Sequence, residues 1–351
     1  MGTNIFVLGL DELNHQALKK LPGAENYTFH QLLTFDELQG GSIAVNELLE
    51  EAERRLEDFD GSIDAIVGYW DFPVTAMVPI LADRYGLPSA NLKGIVTVEH
   101  KYWSRVEQQR VADEEVPGFG LIDLNDEEAR LPEGVNYPAW IKPIKSTSSE
   151  GAYRVTDDAE LQEAVAEERE VVDRMGGGFN EVLERLELPD EIAEIGGSAA
   201  MMEEEASGSM LTVEGFSYQG EVEVYGVIDS HTYEGTSNHA CMVDLGLGRE
   251  PQMPAQNGEF RTAATWFLRR FEDGYIKRVP TAEEVRAIEQ KYPGTTIQID
   301  KEADRPLSGD PAEDAYSFAL AEIFTAGQSE EEMIETYEKV IEELNFEIED
   351  L

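Results

Sequence analysis

The chain has 351 residues, 41% hydrophobic and 28% charged. This excludes a disordered polypeptide and is long enough for two or three domains. Its 73 acidic residues outnumber 27 basic ones, a formal net charge of −46, and they are spread over many segments. No basic patch is present, so neither nucleic acid nor an anionic membrane is expected as a partner. The pattern fits a cytoplasmic protein of a salt-accumulating halophile, where a Debye length of about 3 Å at molar salt screens such self-repulsion. A lone Cys241 excludes an internal disulfide framework. The opening "MGTNIFVLGL" lacks a basic n-region, and its apolar run is too short to span a bilayer. The expectation is a soluble intracellular protein.

Residues 4–9, "NIFVLG", form a continuous apolar run of the kind buried in parallel sheets. Residues 45–57 follow helical spacing, residues 64–69 ("DAIVGY") predict a second buried strand, and 74–86 a helix closed by Gly86. Alternating strands and helices predict an open α/β domain over 1–98. Its first turn, "GLDELN", lacks the glycine spacing of a dinucleotide site.

From Glu99 the pattern changes. "EHKYWSRVEQQRVADEEV" predicts a charged amphipathic helix, "YPAWIKPIK" a strand, and 155–175 a helix capped by Asp157 or Asp158. "GGGF" at 176–179 predicts a loop. "AAMMEEEASG" runs from apolar to acidic, and "MLTVEGFSYQGEVEVYGVID" predicts a hairpin turning at "YQGE". A further module begins near Phe260. There "ATWFLRRFEDGYIKRV" predicts a hairpin turning at Asp-Gly, and "TTIQID" a strand between the helices "TAEEVRAIEQKY" and "SEEEMIETYEKVIEEL". The expected division is 1–98, 99–255 and 256–351.

Lys142 and Lys145 stand together in "IKPIKSTSSEG", although burying a lysine is costly unless an anion faces it. The order of features is helix lysine, strand lysine followed by proline, hydroxyl-rich loop, helix, apolar strand ending in glutamates, then hairpin. In that order the chain resembles the ATP-grasp superfamily, in its carboxylate–amine ligase type. The resemblance implies an N-terminal Rossmann-like (pre-ATP-grasp) domain, an ATP-grasp domain (possibly incomplete) and a small C-terminal α+β domain: α/β and α+β multidomain overall. It implies ATP held between two lobes, with Lys101 and Lys142 presented by separate lobes to its phosphates. Proline after Lys142 biases that lysine to extended backbone. Ser146, Thr147, Ser148, Ser149 and Gly151 match the loop that closes over the β- and γ-phosphates. Glu203 matches the family's strand glutamate, and the backbone at Glu204, Glu205 and Ala206 matches the segment that reads adenine. An acidic triplet is equally well a solvated face.

The same resemblance implies Mg²⁺ held by a carboxylate late in the second lobe and by a Glu-x-Asn pair one strand later. No Glu-x-Asn occurs between Asp229 and Phe260. Asp229, Glu234 and Asp244 are the substitutes in that stretch, and none is demanded by spacing. The implied activity is ATP-dependent activation of a small carboxylate as an acyl phosphate for attack by an amine. The alternatives are a non-catalytic nucleotide-binding or interaction protein that has lost its Mg-binding strands, or an internally deleted remnant. His239 with Cys241 lacks the second ligand pair of a structural zinc site. Trp70, Phe72, Trp103 and Trp140 are read as packing residues.

Overall fold

The computed structural model describes residues 2–112, 115–126, 129–147, 150–207, 212–228, 238–250, 260–308 and 318–350. They fall into two compact units: 1–207 with 238–251, and 208–237 with 252–351. Among the described residues no helix is long and apolar enough to cross a membrane.

The first unit opens with strand β1 (Thr3–Leu8), helix α1 (Glu12–Lys19), strand β2 (Tyr27–Leu33), helices α2 (Phe35–Gln39) and α3 (Val45–Glu57), strand β3 (Ala65–Gly68) and helix α4 (Val74–Tyr85). The apolar run of β1 lies at the centre of a parallel sheet ordered β2-β1-β3, with Ile5 opposite both Phe29 and Ala65. Ile5, Val7 and Leu8 are fully buried, as expected of a strand covered on both faces. Helix α4 stops where the sequence predicts, with Gly86 left-handed at φ 66°.

Next come α5 (Leu92–Glu99), α6 (Lys101–Val111), β4 (Phe119–Ile122), β5 (Ala139–Pro143), β6 (Tyr153–Val155), α7 (Asp158–Leu183), α8 (Asp190–Ala193) and β7 (Ala200–Glu204). The four strands form an antiparallel sheet ordered β4-β7-β5-β6. Its register sets Glu203 opposite Phe119 on one side and Trp140 on the other. Asp157 is the cap of α7, accepting hydrogen bonds from the amides of Ala159 and Glu160. Helix α9 (Asn238–Gly246) packs against β3 and α1.

Helix α7 runs through the "GGGF" segment, which is therefore not a loop. The glycines are there for closeness rather than for turning. A β-carbon at Gly178 would lie 2.2 Å from the Ile43 carbonyl oxygen, and one at Gly176 would lie 2.6 Å from that of Gly197. Gly177 faces open space. The first half of α7 supplies Leu161, Ala164 and Val165 to the core over the antiparallel sheet. Its second half supplies Met175, Phe179, Val182 and Leu183 to the core shared with α3 and α4.

In the second unit, β8 (Thr212–Tyr218) and β9 (Glu221–Ile228) form the expected hairpin, with Gln219 and Gly220 at positive φ in its turn. Then follow β10 (Thr262–Arg270), β11 (Gly274–Arg278), α10 (Ala282–Lys291), β12 (Thr296–Ile299), β13 (Arg305–Pro306), β14 (Phe318–Gly327), α11 (Glu330–Glu343) and β15 (Glu347–Asp350). The expected β10–β11 hairpin does not form. Strand β10 pairs with β14, in a sheet ordered β10-β14-β12, while β11 lies between β13 and β15. Asp273 redirects the chain between them: its side chain accepts from the amides of Gly274 (2.7 Å) and Ser308 (3.2 Å). Helices α10 and α11 cover the first of these sheets through Val285, Ile288, Val340 and Leu344.

The two glycines of α7 give opposite expectations. Gly177→Ala stabilises by about 0.5–1 kcal/mol, because it removes only helix-interior glycine entropy. Gly178→Ala destabilises by about 1–3 kcal/mol through overpacking. Urea unfolding at fixed molar salt measures both.

Candidate functional site

The first residue of α6 is tied to the loop after β5. The Lys101 amide donates to the Ile144 carbonyl (3.2 Å), and the Ile144 amide donates to Ala199 (2.8 Å). His100, fully buried, caps α6: its Nδ1 accepts from the Trp103 amide at 3.1 Å. Burial pushes the His100 imidazole down to about 4, so it caps as the neutral base. Lys101 and Arg105, four residues apart, then project from the same helix face.

These side chains meet the middle of the antiparallel sheet. Glu203 on β7 accepts from Arg105 Nε at 2.9 Å and from Lys142 Nζ on β5. Burial would raise the Glu203 carboxyl, but hydrogen bonds and charge from Lys142 and Arg105 hold it below its usual range. Lys101 Nζ donates to the backbone oxygen of Ser146 (2.9 Å) and to its Oγ (3.0 Å). Burial, with Lys145 and Lys142 nearby, pushes the Lys101 ammonium down to about 8. Lys101, Arg105, Lys142, Glu203, Ser104 and Val98 line one cleft of about 160 Å³. Three cations against one carboxylate reverse locally the sign of a chain whose net charge is −46. A cavity of about 320 Å³ elsewhere in this unit is lined by Glu37, Glu47 and Glu51, the wrong sign for a phosphate.

Lys101 and Lys142 therefore do share a cleft, although both belong to the first unit rather than to separate lobes. Ser146 holds Lys101. Thr147 Oγ1 lies 3.8 Å from Met175 Sδ. Ser148 and Ser149 lie outside the described residues. Gly151 is left-handed at φ 69°, and a β-carbon there would meet the Pro143 ring at 2.7 Å and Glu168 Oε2 at 3.1 Å, so Gly151 itself sits tightly against β5.

Glu204 and Glu205 turn to other partners. Glu204 accepts from the amide and side chain of Asn136, and Glu205 pairs with both sides of the Arg154 fork (2.6 and 2.9 Å). Their amides are also engaged, with Gly118 (2.8 Å) and Pro138 (3.0 Å) respectively. Lys145 answers the question its burial raises: only 3% exposed, its ammonium lies 3.4 Å from both Asp71 and Glu99 and above the Phe72 ring. Trp70 is a packing residue, its Nε1 donating to the Gly9 carbonyl at 2.7 Å. Trp103 is buried in the core. Arg105 was missed from sequence, although its spacing from Lys101 in "KYWSR" is a readable signal.

The resemblance implies a bound Mg²⁺ ion, whose ligands can be sought only among the described residues. Among them no group of three or more His, Cys, Asp or Glu side chains is placed to hold a metal ion. Glu203 is taken by Lys142 and Arg105, and Asp244 by Arg249 at 2.7 Å. Asp229, Glu234 and the side chains of His239 and Cys241 lie outside the described residues.

Sequence comparison finds no matching protein-family model and no matching curated protein. Solved structures do match, over nearly the whole chain. The L-amino acid ligase of Bacillus licheniformis is 14% identical with a TM-score of 0.65, covering 99% of each chain. Phosphoribosylglycinamide synthetase of Anaerococcus prevotii is 11% identical at 0.54, covering 99% of this chain and 100% of that one. The carboxyaminoimidazole ribonucleotide synthase of Aspergillus clavatus, complexed with ATP, is 13% identical at 0.54, covering 97% and 98%. The fold is thus the one these three enzymes share, a mixed α/β multidomain architecture, as the resemblance read from the order of motifs implies.

Two expectations follow from this geometry. Glu203→Ala leaves two half-buried cations without their shared carboxylate and costs about 2–4 kcal/mol in urea unfolding at pH 7. The second concerns His100, whose pKa falls from 6.5 to about 4 on folding. The unfolded chain therefore holds an extra proton between those values. Stability is full above pH 6.5 and declines as the pH falls through that window; His100→Asn, which keeps a cap, flattens the decline in the same unfolding assay.

Proposed function

We propose that the chain binds ATP with its phosphates over Lys101, Arg105 and Lys142, and uses it to activate a small carboxylate for attack by an amine. The observation that carries this reading is the local reversal of charge: a cationic cleft in a strongly acidic chain. Ammonium and guanidinium groups suit phosphate as a point charge and as a planar fork respectively. At about 160 Å³ the cleft falls short of the roughly 300 Å³ at which ligand pockets usually begin, so it accounts for the phosphates rather than for the whole nucleotide. An arriving phosphate competes with Glu203 and Ser146 for these donors, exchanging internal pairs for ligand contacts. With the amides of Glu204 and Glu205 engaged, the reading of adenine falls to Ala206 and to carbonyl oxygens of that segment. The division 1–98, 99–255 and 256–351 is kept as the functional one.

In the reaction this implies, a carboxylate oxygen of the acid attacks the γ-phosphorus of ATP. The bond from that phosphorus to the β,γ-bridging oxygen breaks, and ADP leaves with the electron pair. The amine nitrogen then attacks the acyl carbon, phosphate departs, and the nitrogen loses a proton as the amide forms. The cationic side chains supply electrostatic stabilisation to the transferring group. No side chain is assigned the role of nucleophile or base.

A second reading starts from the sequence, which has no Glu-x-Asn pair between Asp229 and Phe260: a nucleotide-binding or interaction protein on an ATP-grasp fold, without ligation. Thermal unfolding in molar salt separates binding from chemistry. ATP at about 100 times its Kd stabilises by about 2.7 kcal/mol and raises Tm by several degrees; an unmoved Tm sinks both nucleotide readings. Lys142→Met weakens ATP binding roughly 10- to 100-fold. ADP released only when an acid and an amine are both supplied selects the ligase.

A further inference from the structure

Ile144 and Ser146 hold Lys101 at both ends. The Lys101 amide donates to the Ile144 carbonyl at 3.2 Å, and its ammonium donates to the Ser146 carbonyl at 2.9 Å. Between these two holders stands Lys145, which is not among the residues lining the cleft. Its side chain is 3% exposed, and its ammonium lies 3.4 Å from Asp71, three residues beyond β3, and 3.4 Å from Glu99, the last residue of α5. Asp71 Oδ1 is itself aimed by the Phe72 amide, which donates to it at 2.6 Å. The ring of Phe72 lies 5.1 Å from the Lys145 ammonium and that of Phe179, on α7, 5.9 Å. A buried lysine between two carboxylates and two aromatic rings is a costly way to fill space, since removing any charged partner strands a desolvated charge. The proposed reaction gives it no role.

We propose that Lys145 is a positioning residue for Lys101: an anchored cation that pins the Ile144–Ser146 backbone to the parallel-sheet layer and so fixes where the Lys101 ammonium sits in the cleft. A lysine side chain has much rotamer freedom, so an acceptor directs it only as far as the acceptor itself is fixed. Fixing Ser146 falls to its neighbour. Asp71 supplies the parallel-sheet end of the tether, and Glu99 ties it to the chain two residues before Lys101 itself. The hydroxyl-rich loop, the end of β3 and the entry to α6 thus meet at one ammonium.

What this does for a bound anion rests on the proposed function; the tether itself does not. The full-length protein in molar salt is followed by amide hydrogen exchange, in peptides covering 99–104 and 143–147. Lys145→Met, which keeps the stem and removes the charge, is expected to speed exchange there about tenfold, with the amides of β1 unchanged. Asp71→Ala removes only the solvent-facing end of the tether. It is expected to speed exchange in the same two peptides about threefold, a comparison that stands even where Lys145→Met fails to fold. Exchange unchanged in both variants, or raised equally in β1, overturns the proposal. Tripolyphosphate affinity, measured by calorimetry, then separates position from charge. A pure field effect weakens anion binding in Lys145→Met and strengthens it in Asp71→Ala. A misplaced Lys101 weakens it in both, by about tenfold and about threefold. Stronger binding in Asp71→Ala overturns the proposal. A wild-type protein that binds no tripolyphosphate, with the variants showing the expected exchange, rejects the phosphate reading and upholds the tether.

Discussion

The Glu203 carboxylate, gripped on one side by Lys142 and on the other by Arg105, is the junction through which the site is built. It joins a strand at the middle of the antiparallel sheet to a neighbouring strand and to a helix outside the sheet, all within a cleft that would otherwise concentrate positive charge. With Glu203 at 12% side-chain exposure, the pairs are sheltered enough for their geometry to matter. The same arrangement explains how the folded chain tolerates three clustered cations. Each cation rests on an internal acceptor: Lys142 and Arg105 on Glu203, Lys101 on Ser146.

Much of this was legible in the sequence, where local pattern and tertiary demand agree. The buried run of β1, the periodicity of α3 and the Gly86 stop of α4 are decided by residues within one element. So is the β8–β9 hairpin, whose turn residues sit beside the strands they join. The failures occur where distant chain decides. Glycine in 176–178 signals a break to any local reading, but its reason lies at Ile43 and Gly197, far away in sequence. Asp273-Gly274 has hairpin chemistry, yet the partners of the flanking strands are contributed by residues 318–327 and 347–350.

The site divides the same way. Lys101, Lys142 and Glu203 were visible because their order along the chain carries information even when each alone does not. Arg105 was visible in principle, one helical turn beyond Lys101. The side chains of Glu204 and Glu205 go to Asn136 and Arg154, partners that no local pattern names.

Helix α7, 26 residues and about 39 Å long, belongs to two hydrophobic cores at once. A strut of that kind locks the parallel and antiparallel layers of the first unit into one mechanical body. Neither layer can melt or tilt without dragging the shared rod, so heat or denaturant should dismantle them in a single cooperative event. Any shape change that accompanies ligand capture must then be sought in connecting segments, not in a hinge between these layers.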